Sequence, residues 1–295
     1  MRLSANIWLL ALTLYSLLGY GQQDSQVTKQ TFQYKDTLQL DFYALDKAQA
    51  VDKPLLVLVH GGGFASGKRD GADESKFCEV MAQKGYAVAS ISYRLTRKND
   101  PFSCDCATGK KMSTFVSASE DLADALAYLS QEQSLKFDRN QIILIGSSAG
   151  AETVLHSAYM SHHYLFKHIP PIKVSGVVSF SGAMVDASYI SKTNAVPALL
   201  IHGKKDELVP YATAAHHYCS EDKAGYLMLD GPLTLAGKLK ELKTSYILAF
   251  HPDGGHDWAN KAFSQTELVQ KFIDEIVLEK KFTGSKFKGK KIKLH

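Results

Sequence analysis

The sequence predicts one α/β domain: a doubly wound, mostly parallel sheet with antiparallel strands at its N-terminal edge. Three observations carry that expectation. Short apolar runs recur at Leu55 to Val59, Ala87 to Ile91, Ile142 to Ile145, Val174 to Phe180, Ala198 to Ile201 and Ser245 to Phe250. They are mostly rich in branched residues, as strands buried on both faces must be. Amphipathic segments lie between them, the clearest being Ala118 to Leu129, where Leu122, Ala125, Leu126 and Leu129 mark one face. Such alternation implies parallel strands joined by right-handed crossovers. Ahead of these runs, Thr31 to Tyr34 and Leu38 to Tyr43 alternate in polarity and read as antiparallel edge strands.

The chain has 295 residues, 45% hydrophobic and 22% charged, which excludes a disordered, collagenous or coiled-coil protein. No internal repeat or low-complexity linker divides it, so a single domain is expected over residues 30–280. The net charge of +4 is unevenly placed. Lys280, Lys281, Lys286, Lys288, Lys290, Lys291 and Lys293 fall in the last 16 residues without an acid among them. Setting those seven and Arg2 aside leaves 26 basic residues against 30 acidic ones, which argues against a nucleic-acid-binding body. Residues 281–295 read as a basic tail, a solvated flexible end. The alternative is contact with a membrane or another anionic surface, since Phe282, Phe287, Ile292 and Leu294 are interleaved with the lysines.

Arg2, the apolar stretch Ile7 to Leu18 and the small residues Gly19 and Gly21 have the form of a secretory signal over residues 1–21. The stretch is shorter than the roughly 20 apolar residues that span a bilayer. Export to a periplasm or the medium is therefore expected, and export permits disulfides. Four cysteines, Cys78, Cys104, Cys106 and Cys219, allow three pairings, and the sequence does not choose among them. A Cys104–Cys106 bridge would be a tight ring, so bridges to separate elements are easier to build. No pair of histidines at ligand spacing lies near them, so no zinc site is expected.

In an open α/β sheet, ligands gather beyond the carboxyl ends of the strands. Gly146-Ser147-Ser148-Ala149-Gly150 stands directly after the run Ile142 to Ile145 and before the helical stretch Ala151 to Met160. Glycine on both flanks permits a sharp strand-to-helix turn that lifts the Ser148 hydroxyl out of the sheet. A second string, His60-Gly61-Gly62-Gly63-Phe64, follows Leu55 to Val59. Three consecutive glycines bare backbone N–H groups, the donors that a developing oxyanion requires. Neither GxxxxGK[ST] nor GxGxxG is met, so a phosphate-binding loop and a dinucleotide cofactor are not indicated.

Asp206 and His256 each follow a later predicted strand, which brings them to the same edge as Ser148. A serine hydroxyl is a poor nucleophile until an imidazole takes its proton, and the imidazole needs a carboxylate on its other nitrogen. Asp186, Asp253 and Asp257 are rivals for that carboxylate. Asp206 is preferred because it follows the next-to-last strand, with a full crossover before His256. Most of the 11 histidines must be bystanders: His162, His163 and His168 behind Ser148, His216 and His217 in an expected helix, and His202 as a loop-shaping residue.

Together these residues resemble the serine esterases of the α/β-hydrolase superfamily, from about Leu55 to Val277. HGGGF at His60 to Phe64, Ser90 to Leu95, and Gly146 to Gly150 are similar to the small exported esterases related to carboxylesterases and hormone-sensitive lipases. The resemblance implies the α/β-hydrolase fold, Ser148 as nucleophile, Asp206 and His256 as its partners, and an oxyanion hole from the Gly62, Gly63 and Ala149 amides. It also makes Tyr93-Arg94-Leu95 structural. Two departures stand out: Ser147 occupies a place where large carboxylesterases carry an acid, and a long segment including Cys219 to Gly231 follows Asp206.

Only 17 residues separate Phe180 from Ala198, too few for a large cap. An open cleft suits short acyl groups on bulky alcohols, including acylated saccharides. The loop Arg97 to Met112 and the segment Cys219 to Leu235 could form a partial lid, with Phe64 and Trp258 as candidates to line the pocket. Hydrolysis of carboxylic esters is the leading expectation. A serine exopeptidase of the same superfamily and a non-catalytic binding protein on the fold are the alternatives.

Overall fold

The computed structural model describes residues 26–46, 53–100, 102–279 and 288–295. The expected signal segment lies outside them. The first described elements are two strands, β1 (Val27–Lys35) and β2 (Leu38–Leu45), paired antiparallel as the alternation predicts. β3 (Pro54–Val59), β4 (Ala87–Ile91), β5 (Asp138–Ser147), β6 (Gly176–Phe180), β7 (Ala198–Gly203) and β10 (Tyr246–His251) correspond to the six apolar runs. β8 (Thr213–Ala215) and β9 (Met228–Asp230) form a separate antiparallel pair, and β11 (Gly289–Lys293) ends the main sheet. That nine-stranded sheet runs β1-β2-β4-β3-β5-β6-β7-β10-β11, parallel from β4 to β11.

The helices are α1 (Ala72–Gln83), α2 (Thr108–Gln131), α3 (Ala149–Tyr159), α4 (Pro232–Glu241), α5 (Trp258–Lys261) and α6 (Thr266–Phe272). One apolar layer joins the sheet to α2, α3 and α4 through Phe115, Leu122, Val154, Leu155, Leu235 and Leu239. The other joins it to α1, α5 and α6 through Phe77, Met81, Trp258, Val269 and Phe272. With helices on both faces, every residue of β3, β4 and β6 is buried, which is why those strands read as unbroken apolar runs. Between β6 and β7 there is only a single 3-10 turn, Ala187–Tyr189, and no cap.

Three boundaries differ from the expectation. α2 begins ten residues earlier than the amphipathic pattern, so the end of the presumed loop Arg97 to Met112 is helical. Gly109, Lys110 and Lys111 hide that start because Lys111 is wholly buried by tertiary partners, not by an apolar helix face. His216 and His217 are not in an α-helix: they form a 3-10 turn after β8, with His217 at φ 55°. The basic C-terminus is not a free tail in its described part. β11 pairs in parallel with β10, Ile292 packs against the core and Leu294 is buried, so the domain runs past residue 280. The unpaired edge of β10 supplies the partner that a lysine-rich composition conceals. Lys290, Lys291 and Lys293 remain exposed, a charge pattern that discourages a further strand from adding there.

Candidate active site

Ser148 stands at the turn from β5 into α3 with φ 50° and ψ −120°, a strained backbone that β-strand and helix geometry hold from both sides. Its N–H donates to the Phe180 carbonyl at 2.8 Å, and its carbonyl accepts from Glu152 N at 2.9 Å. The flanking glycines are required by contact. A Cβ on Gly146 would lie 2.2 Å from the Gly150 oxygen, and one on Gly150 would lie 2.0 Å from the Val59 oxygen. Ser147 points the other way, donating at 2.8 Å to the Ala259 carbonyl, which ties the turn to α5 behind His256.

The loops that follow β7 and β10 bring two side chains into line with this hydroxyl. Ser148 Oγ lies 2.8 Å from His256 Nε2, and His256 Nδ1 lies 2.8 Å from Asp206 Oδ2. With Nδ1–H donating to the carboxylate, Nε2 is left as the acceptor for the serine proton. Asp206 follows β7 and takes three further donors. Leu208 N and Val209 N reach its Oδ1 at 2.9 Å each, and His202 Nε2 lies 3.2 Å from Oδ2 and 3.0 Å from the Val209 carbonyl. Burial alone would raise the Asp206 carboxyl, but the bonds from His202 and His256 outweigh it and hold it well below the usual carboxylate range. The rivals are engaged elsewhere: Asp253 pairs with Lys205, Asp257 with Lys261, and Asp186 caps the turn at Ser188. A Cβ on Gly203 would meet the Gly255 oxygen at 2.3 Å, so the β7 and β10 loops touch only because that residue is glycine.

Gly62, Gly63 and Ala149 line the same cleft, of about 510 Å³, as Ser148 and His256. Gly62 (φ 110°) and Gly63 (φ 60°) hold positive φ, and a Cβ on Gly62 would sit 2.2 Å from the Ser66 oxygen. As the first residue of α3, Ala149 carries an N–H with no intrahelical acceptor. The glycine loop is braced from below, where the Tyr93 hydroxyl donates to the His60 carbonyl at 3.0 Å and its ring stacks on His60 at 4.4 Å. Arg94 is anchored on Asp121 and Glu120, which gives Tyr93-Arg94-Leu95 a structural part. Among the described residues no group of three or more His, Cys, Asp or Glu is arranged to hold a metal.

Phe64 and Trp258 do not line the cleft. Phe64 is fully buried against Tyr93, Phe102 and Phe115, and Trp258 is stacked on His251. Phe102 lines it instead, on a wall stitched from two segments. Cys104 is disulfide-bonded to Cys219, and Gly225 N donates to the Cys104 carbonyl at 2.8 Å. Thr108 Oγ1 donates to the Ala224 and Tyr226 carbonyls. Cys78 and Cys106 are free and buried.

That wall also carries His216 and His217, expected to be bystanders, and brings Lys111 and Glu152 beside them. Lys111 Nζ donates to the Gly225 carbonyl at 2.7 Å and lies 3.3 Å from His216 Nδ1, while His216 Nε2 lies 3.3 Å from Glu152 Oε1. His216 is 1% exposed and Glu152 2%, and both line the cleft with His217. Burial pushes His216 down to about 3, with Lys111 adding to it, so the imidazole is neutral. The signal for Glu152 was its surroundings: it is an acid one turn after Ser148, in a helix whose every other residue is small, apolar or weakly polar.

The BD-FAE family model matches residues 40–186 of the chain. No curated protein matches it by sequence. Among solved structures, it is similar to esterase 2 of Thermogutta terrifontis phosphorylated by paraoxon, with 18% identity over 84% of this chain and 94% of that one and a TM-score of 0.62. The butyrate-bound form of the same esterase gives 17% identity over 84% and 94%, with a TM-score of 0.61. The propionate-bound form gives 17% over 86% and 95%, with a TM-score of 0.59. At such identity the likeness is one of fold.

Proposed function

We propose that the chain, which has the α/β-hydrolase fold, hydrolyses carboxylic esters with short acyl groups through an acyl-enzyme on Ser148. The observation that carries this reading is the unbroken line from the Ser148 hydroxyl through His256 to Asp206, 2.8 Å at each step, beside the bared Gly62, Gly63 and Ala149 amides. His256 Nε2 takes the serine proton as Oγ bonds to the ester carbonyl carbon, and the carbonyl oxygen becomes an oxyanion facing those amides. Collapse of this intermediate breaks the bond to the alkoxy group, which leaves as alcohol with the proton from His256. Water, deprotonated by the same imidazole, then attacks the acyl-serine and releases the acid. Asp206 keeps its charge throughout and stabilises the imidazolium.

The substrate side of the proposal, an ester of a bulky alcohol such as an acylated saccharide, is supported by the absence of a cap between β6 and β7. It is also supported by a second cleft of about 550 Å³, which shares Asp73 and Asn260 with the first. The butyrate and propionate held by the Thermogutta esterase favour short acyl groups. Ser148→Ala should lower kcat on p-nitrophenyl acetate by about 10⁴-fold or more and abolish labelling by a fluorophosphonate. Unchanged hydrolysis by that variant would discard the reading. Rates should also fall as the acyl chain of p-nitrophenyl esters lengthens. Export fits the Cys104–Cys219 bridge, which persists in oxidising compartments, and the intact mass of the exported chain should show the loss of residues 1–21.

A further inference from the structure

Glu152 occupies a position that its own protein contacts do not explain. Its side chain is 2% exposed and lines the cleft one helical turn from Ser148. Oε1 lies 3.3 Å from His216 Nε2 but out of hydrogen-bonding alignment, and it is a buried oxygen without a hydrogen-bond partner. A buried acceptor left in this state loses its hydration and gains nothing in exchange. The surroundings are rigid, because the Cys104–Cys219 bridge, the bonds of Thr108 to Ala224 and Tyr226, and that of Gly225 to Cys104 fix the segments that carry Phe102, Lys111 and His216.

We propose that Glu152, backed by His216 and Lys111, is a specificity-determining residue that hydrogen-bonds a hydroxyl group on the limb of the ester lying over α3. The proposal rests on Ser148 being the ester-cleaving nucleophile and names the kind of ester it cleaves. A neutral partner is favoured over an ammonium group because a cation already stands behind the carboxyl. Lys111 is fully buried behind His216, so a second cation would be set beside a positive charge already there. An alkyl limb is disfavoured because it would seal the carboxyl away from water without giving it a bond. Burial pushes the Glu152 carboxyl up to about 8, against the pull of His256 and Lys111. Near neutral pH it can therefore donate as well as accept, as a hydroxyl does.

The test uses two matched pairs of substrates on the full chain. One varies the acyl limb, 4-nitrophenyl 3-hydroxybutyrate against 4-nitrophenyl 3-methoxybutyrate. The other varies the alcohol limb, a mono-acetylated methyl xyloside against its O-methylated counterpart. The wild-type protein should prefer the hydroxylated member of one pair by about 10- to 100-fold in kcat/KM, mostly through KM, and Glu152→Met should bring that ratio close to one. Equal kcat/KM within both pairs overturns the proposal and leaves the esterase reading standing. Failure to hydrolyse any of the four, with no fluorophosphonate labelling of Ser148, defeats the esterase reading instead. A preference that survives Glu152→Met, or faster turnover of 4-nitrophenyl alaninate than of the hydroxybutyrate, also overturns it. The wild-type ratio needs no variant, so the test stands even if Glu152→Met does not fold.

Discussion

Asp206 and Glu152 are carboxylates of the same site, each 2% exposed, and the protein holds them in opposite states. Asp206 receives Leu208 N, Val209 N, His202 and His256, and its carboxyl stays well below the usual range despite burial. Glu152 receives no aligned donor, and burial pushes it up to about 8. Burial works against the charge of both, and the donors around each decide whether the charge survives it. The region around Asp206 is finished before substrate arrives, whereas the region around Glu152 keeps hydrogen-bonding capacity unspent.

The largest effect that could break this contrast is on Asp206. Asp206→Asn keeps the shape but turns the His256 tautomer, and kcat on p-nitrophenyl acetate should fall by about 10³- to 10⁴-fold with circular dichroism unchanged. A fall of less than tenfold would mean that the donors around Asp206 serve packing alone. Next in size is the wall that holds Glu152. Cys104 and Cys219 are 115 residues apart, and the paired change Cys104→Ser with Cys219→Ser should cost about 2–4 kcal/mol in urea unfolding. An unchanged midpoint would show that the backbone bonds of Thr108 and Gly225 hold the wall unaided.

The smallest effect is on the pH dependence of stability, where the two carboxylates pull in opposite directions. The folded-state value of Asp206 is depressed, so its contribution is complete above the unfolded value of 3.8 and is lost as pH falls below it. The folded-state value of Glu152 is raised, so the folded chain holds a proton that the unfolded chain gives up between 4.5 and about 8, and stability is lost as pH rises through that window. In equilibrium unfolding of wild type and Glu152→Gln, the stability of the wild type relative to the variant should fall as pH rises from 5 to 8. Parallel curves would contradict a raised Glu152.

The half of the site built on strand ends was legible in the sequence because each part travels with its own local string. Glycines crowd Ser148 where the chain must turn within contact distance of β3, and Asp206 and His256 follow apolar runs that can only be buried strands. The stitched wall was not legible, since its residues are placed by partners far along the chain. Lys111 looks like part of a polar loop until Gly225 and His216 close over it. The His216 segment looks helical until β8 and β9 pair. Which cysteine meets Cys104 likewise depends on where the segment between β8 and β9 folds back, which no spacing encodes. The edge strand β11 was missed for the opposite reason: its lysines are plainly visible, but the vacancy beside β10 that it fills is not.

That ninth strand bears on how the protein is made. Its partner β10 ends at His251, yet its outer edge is covered only by Gly289–Lys293, far later in the chain. Folding during synthesis therefore proceeds with one open β edge until β11 has emerged. A chain cut short by a premature stop would retain that edge and be the form most prone to self-association.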